Sequence, residues 1–172
     1  AAGGPVHAKY RRMITVYVDI TAPLYWWKEF DTYKVGTVAN SCSTMHKIHA
    51  KEFTLEDFSC EHLITSHDSD HYESDYRWHS ESADIDLYAS PLDGLILIVG
   101  LLNANRKAYL KTKDKKYWWQ MIQLLPSSYN QKRTVMMNYE VLANIYKSRK
   151  DHKLDEWAEH DISEKNQGFC DW

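Results

Sequence analysis

Cysteine is scarce in this sequence. Its three cysteines, Cys42, Cys60 and Cys170, are widely spaced and odd in number. They form no CxxC or zinc-ligand pattern and no disulfide framework, so a reducing compartment, the cytoplasm, is the expected setting. Long apolar runs are also missing. The longest, Leu95 to Leu102, is too short to span a bilayer, and no signal-peptide pattern is visible. No single sign of charge dominates: 21 Lys and Arg stand against 24 Asp and Glu, a net charge of −3, which removes the electrostatic case for general nucleic-acid binding. There is no internal repeat and no low-complexity tract. The chain opens on Ala1, in AAGGP, and not on methionine, which reads as a truncated or processed start.

Apolar and aromatic residues are plentiful. Hydrophobic residues make up 44% of the 172 positions, and seven Trp and twelve Tyr are a high aromatic load. That is enough for a core of ordinary size, and one domain is expected over residues 1–172, with a variable polar loop at 65–90 and a polar tail at 164–172. The expected fold class is α+β, rich in helix, with a small antiparallel sheet.

Element by element, Arg12 to Asp19 alternates Ile14, Val16 and Val18 with Thr15, Tyr17 and Asp19 and predicts a strand. Thr21 and Pro23 then suit the start of a helix running to about Tyr33, with Leu24, Tyr25, Trp26, Trp27 and Phe30 on its faces and Gly36 as its stop. Thr54 and Asp57 form a cap-like pair that starts a short helix. Ser90-Pro91 caps the next helix, whose apolar run predicts burial on every side, with Gly100 permitting a close helix contact. Lys115 to Leu125 is amphipathic. Ser127 to Lys132 is polar and turn-like, a helix follows from about Asn138 to Arg149, and a last helix is expected from about Lys153 to His160.

Two places invite a functional reading. His67 and His71 lie four apart and could clasp a metal if helical. Acidic residues and serines surround them from Thr65 to Asp86, the mark of a solvated loop, so no metal site is assigned. The stripe Asn138, Leu142, Ile145, Arg149 is more informative, because a polar residue sits at each end of an apolar helix face. On one reading Asn138 is an N-cap and Arg149 complements the helix dipole while its stem covers core. On the other, Arg149 points at an anion and Asn138 at a polar ligand.

Leu125-Pro126, Tyr129, Thr134, Asn138, Leu142, Asn144, Arg149, His152 and Glu156 together resemble the C-terminal signature of flavin-dependent thymidylate synthases. The spacings from Pro126 to Asn138, Asn144 and Arg149 match that family without gaps. One residue is missing before His152, and the tyrosine stands one position early. Farther upstream, Asn40 and Ser43 match the asparagine and serine of the family's defining motif. Tyr33, Lys34 and Val35 stand where Arg-His-Arg would be, Ser41, Met45 and His46 replace its glutamate, arginine and tyrosine, and Ile122 replaces a further arginine. The resemblance covers roughly Met13 to Glu156 and is weakest from Thr65 to Asp86.

The resemblance implies the thymidylate synthase complementing fold, normally a homotetramer with active sites between subunits. It implies FAD as cofactor and methylation of deoxyuridine monophosphate with methylenetetrahydrofolate and NADPH. By that likeness Asn138 and Asn144 would contact the flavin, Lys34 would be a weak stand-in for the missing cluster, and Arg149 and Ser43 would contact the nucleotide. Because the flavin carries the hard chemistry, no protein nucleophile is assigned. The lost arginines point instead to a non-catalytic descendant that binds another nucleotide or a protein partner. A further reading makes the aromatic helix Tyr25 to Phe30 the interface of an inhibitor or assembly module.

Overall fold

A computed structural model describes residues 4–41, 43–65, 77–80, 85–88, 90–158 and 168–171. The chain is mixed α+β and divides into two compact units. The first is Ala1–Cys42 with Asn130–Trp172, and the second is Ser43–Tyr129. His67 and His71 lie outside the described residues.

The first unit begins with the short helix α1 (Gly4–His7). It is built on a three-stranded antiparallel sheet of β1 (Thr15–Pro23), β2 (Thr37–Ser41) and β5 (Asn130–Asn138), in the order β1-β5-β2. The central strand β5 takes in Asn130 to Lys132, the second half of the stretch that reads as a turn in the sequence, while Ser127 and Ser128 do form a turn. Its register places Val16 opposite Met137, Val18 opposite Val135 and Ala39 opposite Val135. Alternation then sends Val135 and Met137 into the core. Against that face pack α2 (Leu24–Phe30) and α6 (Tyr139–Arg149), giving a cluster of Trp26, Trp27, Phe30, Val141, Ile145 and Trp157. Trp26 and Trp157 are stacked, with ring centroids 4.2 Å apart and an interplanar angle of 16°. The aromatic rings of α2 are therefore core, not interface: Trp26, Trp27 and Phe30 are each 2% exposed or less.

Helix α2 is shorter than its sequence predicts. β1 runs on through Thr21 to Pro23, and an extended Pro23 precedes the first helical turn. The expected helix at Lys153 to His160 does not form in its described part. Residues 153–158 make turns, with the Trp157 and Ala158 amides both donating to the Leu154 carbonyl.

The second unit contains α3 (Thr44–Lys47), the hairpin β3 (Arg77–Ser80) and β4 (Ile85–Tyr88), and a helical hairpin, α4 (Pro91–Thr112) and α5 (Lys115–Leu124). A hairpin thus occupies part of the stretch that reads as a solvated loop. Ser90 and Asp93 form a reciprocal capping box at the head of α4, and the bonds from Ser90 hold the Asp93 carboxyl below its usual pKa. Thr54 and Asp57 form a second capping box, at a single helical turn at Leu55–Asp57. Lys113 turns the chain into α5 in a left-handed conformation, φ 59°, its amide donating to the Tyr109 carbonyl at 2.8 Å.

Leu95 and Leu102 of α4 meet Ile48, Phe53, Phe58 and Met121 in the core of this unit. The helix is not buried all round, however: Leu97, on the opposite side, is 64% exposed. Apolar residues on every side of a helix do not by themselves say which face is covered, and here α5 covers only one.

Asn103 fastens a loop to α4. Its Oδ1 accepts from the Phe53 amide at 2.9 Å and its Nδ2 donates to the Phe53 carbonyl at 2.8 Å, as a strand neighbour would. Asn103→Ala leaves both backbone groups part-buried without that partner, and each such loss costs about 1–3 kcal/mol. The variant is expected to unfold at lower denaturant with an unchanged slope. A midpoint equal to the wild type's would show that water replaces the side chain freely.

Candidate functional site

The site is assembled from the two ends of α6 and the segment 33–37. At the head of α6, Asn138 is the N-cap, its Oδ1 accepting from the amides of Glu140 and Val141 at 3.1 Å each. Gly36, at φ +80°, turns the chain beside it. A Cβ there would lie 3.3 Å from both Asn138 Nδ2 and Val141 Cγ2, so positive φ and close approach together call for glycine. The turn is closed by the Thr37 hydroxyl donating to the Tyr33 carbonyl at 2.6 Å. Lys34 sits on this turn, exposed.

At the other end of α6, Arg149 is the hub of a dense polar cluster. Its Nε donates to the Tyr33 hydroxyl at 2.9 Å, and its Nη1 lies 2.5 Å from Glu29 Oε2 and 2.7 Å from His152 Nε2. Its guanidinium lies 5.2 Å from the Trp157 ring centroid and 5.7 Å from that of Tyr33, within cation–π range. His152 is fixed from behind, because its Nδ1 accepts from the Leu154 amide at 3.1 Å, while its Nε2 lies 3.3 Å from Glu29 Oε2. Close by in sequence, Glu156 accepts from the Tyr25 hydroxyl.

Asn138 and Arg149 thus stand at the two ends of one helix, and the Tyr33–Gly36 segment, which carries Lys34, turns beside it. Asn144 is exposed on α6, between the buried Val141 and Ile145. Ser43 belongs to the second unit, where it precedes α3 without capping it by its side chain. Tyr129, the motif's tyrosine, also lies there. It forms an isolated bridge with Phe58 and edge contacts with the Phe53 and Phe58 rings, and burial pushes its phenol above the usual pKa.

Glu29, Tyr33 and Trp157 carry no sign of this role in the sequence. Their link to Arg149 is made only by the fold, across more than a hundred residues for Glu29 and Tyr33. The one clue is general, that an arginine on an apolar stripe must find an anion. Chemically, the cluster gives a rigid guanidinium whose charge is met by a carboxylate. Among the described residues no group of three or more His, Cys, Asp and Glu is placed to hold a metal ion, and no helix is long and apolar enough to cross a membrane. No family model, no curated protein and no solved structure matches the chain.

Proposed function

We infer that this chain is a diverged relative of the flavin-dependent thymidylate synthases that acts as a protein-interaction module in place of methylating a nucleotide. The observation that carries this reading is the closure of Arg149 on Glu29. It is the one arginine of the resemblance's phosphate-binding set still present, and its Nη1 lies 2.5 Å from a carboxylate of its own chain. An incoming phosphate would have to displace that carboxylate, and loose phosphates need several fixed donors. The residues fit a flavin poorly as well: the Asn138 Oδ1 is taken by two helix amides, which leaves exposed Asn144 and Lys34. Exposed apolar side chains on both units, Tyr17 and Val38 on the sheet and Leu97 on α4, support an interaction role.

A second reading, a working synthase, has one observation in its favour. The segment standing at the Arg-His-Arg position runs against the helix that carries the C-terminal signature, through Tyr33 with Arg149 and Gly36 with Asn138.

The test is a melting curve of the purified chain with FAD, with deoxyuridine monophosphate, and with both. A ligand that binds only the native state must raise the melting temperature. The interaction reading expects no rise with any of the three and no flavin absorbance after desalting. A concentration-dependent rise with the nucleotide, lost in Arg149→Ala, would overturn it in favour of the synthase.

A further inference from the structure

Gly100 is a glycine in the middle of a 22-residue helix, where it disfavours the helix relative to alanine. Among the described residues nothing calls for it: a Cβ built there meets no atom within 4 Å. It lies on the side of α4 away from Leu95 and Leu102, at the centre of a stripe spaced by threes and fours. The stripe reads Asp93, Leu97, Gly100, Ala104, Lys107, Lys111. Large apolar residues flank the glycine in water: Leu97 is 64% exposed, Ile96 47% and Leu101 43%. A small residue ringed by exposed leucines and an isoleucine is the surface a second helix needs for close approach.

We propose that this stripe is a self-association face, on which α4 of one copy packs antiparallel to α4 of a second copy about a two-fold axis at Gly100. The charges select that partner and that direction. Asp93 and Lys107 stand two helical turns on either side of Gly100. An antiparallel pair therefore places Asp93 of each copy opposite Lys107 of the other, with Lys111 one turn beyond. A parallel pair would oppose like charges and align the helix dipoles unfavourably. A patch that is its own complement is what an isologous two-fold interface requires.

Both charged groups are available. The capping bonds of Asp93 all fall on Oδ2, and Lys107 has only a loose contact, 3.9 Å, with the exposed Glu52. A helix of this length spans about 33 Å, and a single helix-on-helix contact of that size lies at the low end of stable interfaces. The expected complex is therefore concentration-dependent.

Sedimentation equilibrium of the full chain, from low micromolar to sub-millimolar concentration, tests the proposal. The wild type is expected to form dimers, or a larger assembly built from them. Leu97→Glu and Gly100→Leu are each expected to weaken that association at least about tenfold. Leu97 is exposed and Gly100 has open space around it, so both variants should keep the wild-type circular dichroism. Lys107→Glu, which sets a second carboxylate against Asp93, is the further check: it should weaken association too, less so at high salt. A chain that stays monomeric throughout overturns the proposal, as does an assembly that Leu97→Glu and Gly100→Leu leave intact. Association that survives Lys107→Glu undiminished overturns the antiparallel arrangement.

Discussion

Trp157→Ala is expected to lower the unfolding free energy of the first unit by about 3–5 kcal/mol, the usual cost of removing a fully buried large aromatic. Trp157 is 0% exposed. Its ring stacks on Trp26 at 4.2 Å, meets Phe169 edge-on at 5.6 Å and lies under the Arg149 guanidinium. The alanine variant therefore opens a cavity where the rings of Trp26, Phe30, Tyr33 and Phe169 and a cation–π contact meet. It also loosens the turn that carries the indole, which is tied to the following segment where the Phe169 amide reaches the Glu156 carbonyl and the Cys170 amide reaches that of Trp157. Denaturant unfolding followed by near-ultraviolet circular dichroism is the measurement, because the close Trp26–Trp157 stack should give a strong signal that the variant lacks. Trp157→Phe, which keeps an aromatic ring, should lose less stability. A loss below about 1 kcal/mol for alanine, the scale of ordinary surface changes, would show that the indole is not packed as described.

The turn around Trp157 also marks where sequence reasoning stops. Leu154, Trp157 and Ala158 fall at helical spacing, yet the chain turns so that the indole reaches Trp26. A few local contacts cannot outweigh the burial of so large a ring. The strand β5 was obscured for a related reason. Gln131 and Arg133 point to the same side as Val135 and Met137 and break the apolar pattern, but Arg133 lies over the Trp27 ring at 4.3 Å and Trp27 Nε1 donates to the Gln131 carbonyl at 2.9 Å. Polar residues that roof an aromatic core look like a turn when read one by one.

What the sequence does state clearly is local. The caps at Thr54, Ser90 and Asn138 stand where their spacing places them, because a cap depends on three or four neighbouring residues. The strand at Ile14 to Val18 was legible from its alternation, and its partner strands were not, since pairing is long-range. The stripe on α6 was legible too. Its two readings differed in what Asn138 and Arg149 would meet, and for Arg149 that depended on Glu29 and Tyr33, far away in the chain.

Glu29→Ala and Arg149→Ala are expected to couple strongly. Each alone should cost about 2 kcal/mol, and the pair less than the sum, with a coupling of about 1–3 kcal/mol as for other contacting charges. The Arg149 side chain is 17% exposed and that of Glu29 34%, so the arginine loses more when its partner goes than a surface residue would. The Tyr33 hydroxyl and Trp157 ring still hold the guanidinium in place in Glu29→Ala. That variant therefore presents a fixed cation with no carboxylate of its own, built to accept an outside anion. Inorganic phosphate should raise its melting temperature more than the wild type's, and the double variant should lose that response. Equal phosphate responses in the wild type and Glu29→Ala, both removed by Arg149→Ala, would mean that the carboxylate yields readily to an anion. Arg149 would then be a nucleotide-binding residue after all, and the interaction reading would lose its main support. No response in either chain, together with a strong coupling energy, would instead place Arg149 wholly within the architecture. In that case Arg149 is a strut: through Glu29 it ties α6 to α2, and through Tyr33 it holds the turn that follows α2.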